Sequence, residues 1–214
     1  RAFAAHAAHA LRTPLAGMVT QLAVAQRKAP PEVQPHLRRT RDAADRLRGV
    51  VSALLTLFRA NTELEHQVVG IGELVAHLPL EALSVSVDGE VHCQADPDLL
   101  AAALLNLLDN AQRLGARLVT VRLETAQDGP RITLIDDGPG FEVERVSALN
   151  AALAAQAYDG SMGLGLMLAD LIARAHGGWL RVSNDQGGGA SIVMQLSTPV
   201  LPVGEVTLPA PLED

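Results

Sequence analysis

The sequence predicts an α+β protein: a two-helix antiparallel hairpin, pairing into a four-helix bundle on dimerisation, followed by a two-layer α/β sandwich. Three observations carry that expectation: two apolar series at coiled-coil spacing, a Pro-rich break between them, and a change of periodicity beyond about Glu65. Ala4, Ala8, Leu11, Leu15, Met18, Leu22 and Ala25 alternate spacings of four and three, as a helix with a narrow seam does. Ala29-Pro30-Pro31 ends that series. Leu37, Thr40, Ala44, Leu47, Val51, Leu54 and Phe58 then repeat the spacing, so the second helix folds back on the first. A lone hairpin with such stripes buries little apolar surface, and pairing two copies solves that, which predicts a homodimer.

Strands and helices alternate in the rest. Leu83 to Val87 and Glu90 to Cys93 read as short strands. Asp96-Pro97 starts a helix, with Asp at the cap and Pro at the first helical position, and Gly115 closes it. Leu118 to Glu124 and Arg131 to Ile135 are alternating strands joined around Asp128-Gly129-Pro130. After a long irregular stretch, Leu164 to Ala175 is a helix closed by Gly177-Gly178. Trp179 to Ser183 and Ser191 to Leu196, joined by Gly187-Gly188-Gly189, complete a mixed sheet. The expected division is 1–64 for the hairpin, 65–198 for the sandwich and 199–214 for a loose Pro-rich tail.

A net charge of −7 excludes a nucleic-acid surface, because neutralising phosphates takes a surplus of Lys and Arg. Aromatic residues make up only 2% of the chain, so the core must be aliphatic. Arg38, Arg39, Arg41, Arg46 and Arg48 cluster in one segment, either as a docking surface for an acidic partner or, more commonly, as a solvated helix face. Cys93 is the sole cysteine, so no internal disulfide forms. No apolar run reaches the length of a membrane span. The chain opens at Arg1 inside a helical pattern, which predicts a fragment of a longer protein.

Chemistry concentrates in four segments: His9-Ala10-Leu11-Arg12-Thr13-Pro14-Leu15, Asn106-Leu107-Leu108-Asp109-Asn110-Ala111, Asp136-Asp137-Gly138-Pro139-Gly140 and Gly163-Leu164-Gly165-Leu166. His9 follows a seam position, so its imidazole is expected to face outward, and Pro14 should bend the helix axis just below it. Asn106 and Asn110 lie four apart, on one face of a helix. Gly163 and Gly165 open a helix whose first amide groups suit phosphate oxygens. No Gly-Lys-Ser/Thr follows, so this is not a Walker loop.

In this order, the segments resemble the phosphoacceptor, N, G1 and G2 boxes of a sensor histidine kinase. The resemblance runs from Phe3 to about Ser197. It implies a GHKL-type ATP-binding domain, Mg-ATP as cofactor, autophosphorylation on His9, and transfer to an aspartate of a response regulator. It also implies a cytoplasmic fragment of a membrane-anchored sensor, reaching the membrane only through a region upstream. Phe3, His9, Leu11, Arg12, Thr13, Pro14 and Leu15 match the family's first box, in which Thr13 stands where a hydroxyl or amide orients water for dephosphorylating the partner. Ala10 departs from it, replacing the acidic residue that polarises the ring. General-base help is worth about 10²–10⁴-fold, so the resemblance implies slowed autophosphorylation.

By the same resemblance Asn110 ligates Mg²⁺, Asn106 supports the phosphate site and Arg113 contacts phosphate; an amide oxygen is a hard ligand and a guanidinium suits phosphate. Asp136 accepts the adenine amino group, and Gly138 and Gly140 let the backbone approach the base. Gly163, Leu164, Gly165 and Leu166 close the phosphate end. The segment from Phe141 to Met162 corresponds to the ATP lid, Ala- and Leu-rich with Tyr158 in place of a Phe-rich box, and is expected to be helical. Two further function classes compete: a degenerate member acting as phosphatase or nucleotide-binding scaffold, and an ATP-hydrolysing relative of the gyrase and chaperone type. The latter carries a glutamate where this chain has Asn106 and lacks the histidine hairpin.

Overall fold

The computed structural model describes residues 14, 17–18, 20–30, 32–41, 43–44, 51, 64–80, 83–158 and 162–201. The chain divides into two compact units, Arg1–Glu63 and Leu64–Asp214.

In the first unit, helix α1 has its described helical residues at 14, 17, 18 and 20–28, and helix α2 at 34–41, 43, 44 and 51. Pro30 turns the chain: its carbonyl accepts from Val33 N at 3.0 Å and Gln34 N at 3.2 Å. Helix ends leave carbonyls without intrahelical partners, and the Gln34 amide serves two of them. Its Nε2 donates to Gln26 O at 2.7 Å and to Ala29 O at 3.2 Å. Arg41 Nη1 donates to Gln26 Oε1 at 3.1 Å, which sets α2 back against the end of α1 as the Pro-rich break predicts.

The second unit contains β1 (Gln67–Gly70), α3 (Ile71–Ala76), β2 (Ser84–Asp88), β3 (His92–Ala95), α4 (Pro97–Arg113), β4 (Leu118–Ala126), β5 (Gly129–Asp136), α5 (Val143–Ala155), α6 (Leu164–Ala175), β6 (Trp179–Asn184), β7 (Ala190–Gln195) and β8 (Val200–Leu201). The strands form a mixed five-stranded sheet in the order β2-β4-β5-β7-β6, parallel only at β2–β4, and an antiparallel three-stranded sheet in the order β1-β3-β8. Four elements differ from the sequence reading. The short β1 and α3 carry too few residues to show a period. Val200 and Leu201, placed in the loose tail, pair with Cys93 and His92. The strand expected at Glu90 to Cys93 runs over His92–Ala95 and lies in the small sheet.

Helix α4 begins where its cap chemistry requires. Asp96 accepts from Leu99 N at 3.0 Å, and Pro97 occupies the first turn. Gly115, at φ +106°, supplies the left-handed residue that ends it. Leu99, Leu100, Ala103, Leu104, Leu107, Leu108 and Ala111 are buried in helical rhythm. Leu168 and Ile172 of α6 and Ile132 and Met194 of the sheet are buried as well, so the core is aliphatic, with α4 packed on α6. Each such side chain contributes about 1.5–3 kcal/mol on burial. Helices α4 and α6 run antiparallel: Gly165 lies against Asn106, and His176, just beyond α6, accepts from Asp96 N at 3.0 Å.

Candidate functional site

The site gathers at one end of the α4–α6 pair. A Cβ on Gly165 would sit 3.2 Å from the Asn106 carbonyl oxygen, so the glycine lets the first turn of α6 rest closely on the middle of α4. Gly163, at φ +84°, precedes it and caps the helix without a side chain. Leu164 is exposed and Leu166 is buried, so the turn leads from solvent into the core.

On α4, Asn106 and Asn110 are both half-buried at the rim of a helix otherwise packed with leucine. Asn106 Nδ2 donates to Ala102 O at 2.8 Å, which ties the amide to its own helix. Asn110 Oδ1 accepts from Arg113 Nη2 at 3.4 Å, and Arg113 Nε pairs with Asp109 Oδ2 at 3.3 Å. Arg113 thus lies back along the helix, bonded to the Asn110 amide oxygen and the Asp109 carboxylate.

The other half is built at the end of β5. Asp136 Oδ1 accepts from Gly138 N at 2.9 Å and from Ala190 N at 3.0 Å. Two donors on one oxygen fix the carboxyl group, and Oδ2 has no hydrogen-bond partner among the described residues. A Cβ on Gly138 would lie 2.9 Å from Asp136 Oδ1 and 3.6 Å from the Ala116 side chain, so Gly138 wedges between the carboxylate and the chain just after α4. Next to it, Asp137 Oδ1 accepts from Arg117 N at 2.7 Å and Leu118 N at 2.9 Å. These backbone donors hold the Asp137 carboxyl pKa below the usual carboxylate range. Gly140, at φ +72°, lies against Asn184, whose amide bonds Phe141 N at 2.7 Å and Phe141 O at 2.8 Å.

Residues 95–200 match the family described as Histidine kinase-, DNA gyrase B-, and HSP90-like ATPase, and residues 1–63 match the His Kinase A (phospho-acceptor) domain. The chain belongs to the sensor histidine kinase family. Among its relatives are sensor histidine kinase ZraS of Klebsiella oxytoca, 32% identical over 90% of this chain and 45% of that protein, and sensor protein BasS of Escherichia coli (strain K12), 29% identical over 87% and 55%. The chain therefore spans about half the length of these sensor kinases. The ATP-binding domain of PrrB from Mycobacterium tuberculosis superposes with a TM-score of 0.52 at 26% identity, covering 63% of this chain and 98% of that one. Full-length ShkA, solved in complex with AMPPNP, shares the fold with a TM-score of 0.58 at 23% identity, over 94% of this chain and 47% of that one.

For a histidine kinase of this family the structure brings together Asn106 with Gly165, Asn110 with Arg113, and Asp136 with Gly138. His9, Arg12 and Thr13 lie outside the described residues. The sequence reading missed Gly189 and Ala190, treated there only as a turn. A Cβ on Gly189 would fall 1.8 Å from the Asp136 carbonyl oxygen, and Ala190 supplies the second donor to Asp136. The glycine run was the available signal, but its relevance to Asp136 follows from the β5–β7 register. The segment from Phe141 to Met162, expected to be helical, contains helix α5 (Val143–Ala155). Helix α5 is fixed to the edge of the sheet: Asn150 Nδ2 donates to Val182 O at 2.8 Å, and Val182 N donates to Asn150 Oδ1 at 3.0 Å. Among the described residues, no helix is long and apolar enough to cross a membrane.

Proposed function

We propose that this chain is the transmitter core of a two-component sensor: it binds Mg-ATP in the domain beyond residue 64, accepts the γ-phosphoryl group on His9, and passes it to a response-regulator aspartate. The observation that carries this is the preset Asp136 carboxylate, with one oxygen fixed by Gly138 and Ala190 and the other open, on the same unit as the Asn106–Gly165 contact. An adenine amino group suits the open oxygen. The polar face of α4 fits the remainder: Asn110 would offer one amide oxygen to Mg²⁺, Asn106 would orient the phosphates, and Arg113 would turn from Asn110 to a phosphate oxygen. The first amide groups of α6, with Gly163, Leu164, Gly165 and Leu166, would face the phosphate chain.

The hairpin would pair with a second copy, presenting His9, with Arg12 and Thr13 one turn along, to that domain and to the receiver. The core would lie in the cytoplasm and reach a membrane through an upstream region. A specific departure favours a second reading. With Ala10 after His9, no carboxylate polarises the ring from the next residue, and a loss of about 10²–10⁴-fold in attack would leave a phosphatase or nucleotide-binding scaffold. Incubation with γ-labelled ATP decides between them. The kinase reading expects acid-labile, base-stable label that His9→Gln abolishes. Nucleotide binding with no such label, together with accelerated loss of phosphate from a phosphorylated receiver domain, establishes the second.

A further inference from the structure

The chain from Asp136 to Phe141 leaves the end of β5 and is held at both of its ends by the β6–β7 hairpin. At the start, Ala190 N donates to Asp136 Oδ1 at 3.0 Å, and a Cβ on Gly189 would lie 1.8 Å from the Asp136 carbonyl oxygen. At the far end, Asn184 Oδ1 accepts from Phe141 N at 2.7 Å and its Nδ2 donates to Phe141 O at 2.8 Å. A Cβ on Gly140 would sit 2.9 Å from Asn184 Oδ1 and 3.1 Å from the Gly189 carbonyl oxygen. Asn184 and Ala190 face each other in the β6–β7 ladder, and Asp185 N donates to Gly189 O at 3.1 Å.

These contacts close a ring. It runs from Asp136 along the loop to Phe141, across the Asn184 amide to β6, across the ladder to Ala190, and back to the Asp136 carboxylate. Inside it, Gly138 N donates to the same Asp136 Oδ1 at 2.9 Å. A loop with glycine at 138 and 140 has much backbone freedom to lose, so where Gly138 sits depends on how both ends of the loop are held. Asn184 is exposed, and its two bonds go to the loop, so its amide serves the ring and not the core.

We propose that Asn184 is a positioning residue for the adenine end of the nucleotide site, holding Phe141 to β6 so that Gly138 stays bonded to the Asp136 carboxylate; this rests on the nucleotide reading above. Asn184 touches neither base nor phosphate in this role. It closes the far end of the loop, as Ala190 and Gly189 close the near end, and so limits the directions in which the open oxygen of Asp136 can turn.

The test is calorimetric titration of the full chain with Mg-ATP and with the magnesium complex of purine riboside triphosphate, which lacks the amino group that Asp136 would accept. Wild type should prefer Mg-ATP. Asn184→Ala should lower that preference by about three- to ten-fold, the scale of one or two weakened hydrogen bonds. Asn184→Ser, which cannot span both Phe141 groups, should show the same fall. Asn150→Ala removes a similar amide clip between α5 and β6 and should leave the preference unchanged. An unchanged preference in both Asn184 variants overturns the proposal, whatever happens to their melting temperatures. So does an equal fall in Asn150→Ala, which would make any loosening from β6 sufficient. A wild type that does not bind Mg-ATP, or binds both triphosphates alike, rejects the nucleotide reading of Asp136 itself.

Discussion

The backbone N–H of Ala190 donates to Asp136 Oδ1 at 3.0 Å, across 54 residues of sequence. The carboxyl group is thereby oriented before any ligand arrives. Asp136→Asn should keep this scaffold, since an amide oxygen accepts the same two bonds, while turning an NH₂ toward the adenine amino group. Two donors then face each other. The expected loss is about 1.5–3 kcal/mol, roughly 10- to 100-fold in ATP affinity, with little change in melting temperature. Titration with ATP, alongside thermal unfolding, checks both halves.

Gly189→Ala should damage the fold and the site together. Gly189 has φ +86°, and an added Cβ would meet the Asp136 carbonyl oxygen at 1.8 Å. The β5–β7 ladder must open there, taking Ala190 away from Asp136. A cost of about 2–4 kcal/mol is expected from backbone strain and overpacking, read by urea denaturation. Gly188→Ala is the comparison: its φ is +92° but a Cβ there meets nothing within 4 Å, so only the strain should register.

Acid should destabilise the second unit through His176. Asp96 N–H donates to Nε2 at 3.0 Å, so the ring proton is on Nδ1 and bonds Ile172 O at 2.9 Å. Burial chiefly, with help from nearby His66, holds the pKa below the usual histidine range, against smaller raising effects of Ile172 and Asp96. In the unfolded chain the ring protonates near pH 6.5. Between the two values the unfolded state binds the extra proton, so this contribution is full above about pH 6.5 and declines as pH falls toward the folded value. Urea midpoints at pH 7.5 and 5.5 should differ more for wild type than for His176→Gln.

Asn150→Ala should free the edge of β6. Val182 is buried, and its N–H and C=O both rely on the Asn150 amide. The expected cost is about 1–3 kcal/mol, with faster amide exchange at Val182 than at residues paired within the sheet.

Much of this arrangement was legible in the residues themselves. The Asp96-Pro97 start and Gly115 stop of α4 use local cap chemistry, and the strands at 118–126 and 129–136 show a clear alternation. The carboxylate of Asp136, the asparagine pair and the glycine-led start of α6 were equally visible. What stayed hidden depends on distant pairings. The four residues of β1 and two of β8 carry no period, and their role follows only from pairing with β3. Ala190 has no functional side chain at all; its contribution is an N–H delivered by strand register. Asp170 carried no signal in the sequence reading, because beside Arg174 on its own helix its partners are Tyr158, beyond α5, and Leu180 of β6.

The antiparallel course of α4 and α6 has an electrical consequence. The N-terminal turn of α6 carries a partial positive charge, while the last turn of α4, where Asn110 lies, carries a partial negative one. The positive end of α6 therefore lies against the middle of α4, on the side of that helix's negative end. A phosphate chain travelling with its metal ion presents both signs at once, and in the proposed Mg-ATP complex each would lie toward a pole of the opposite sign.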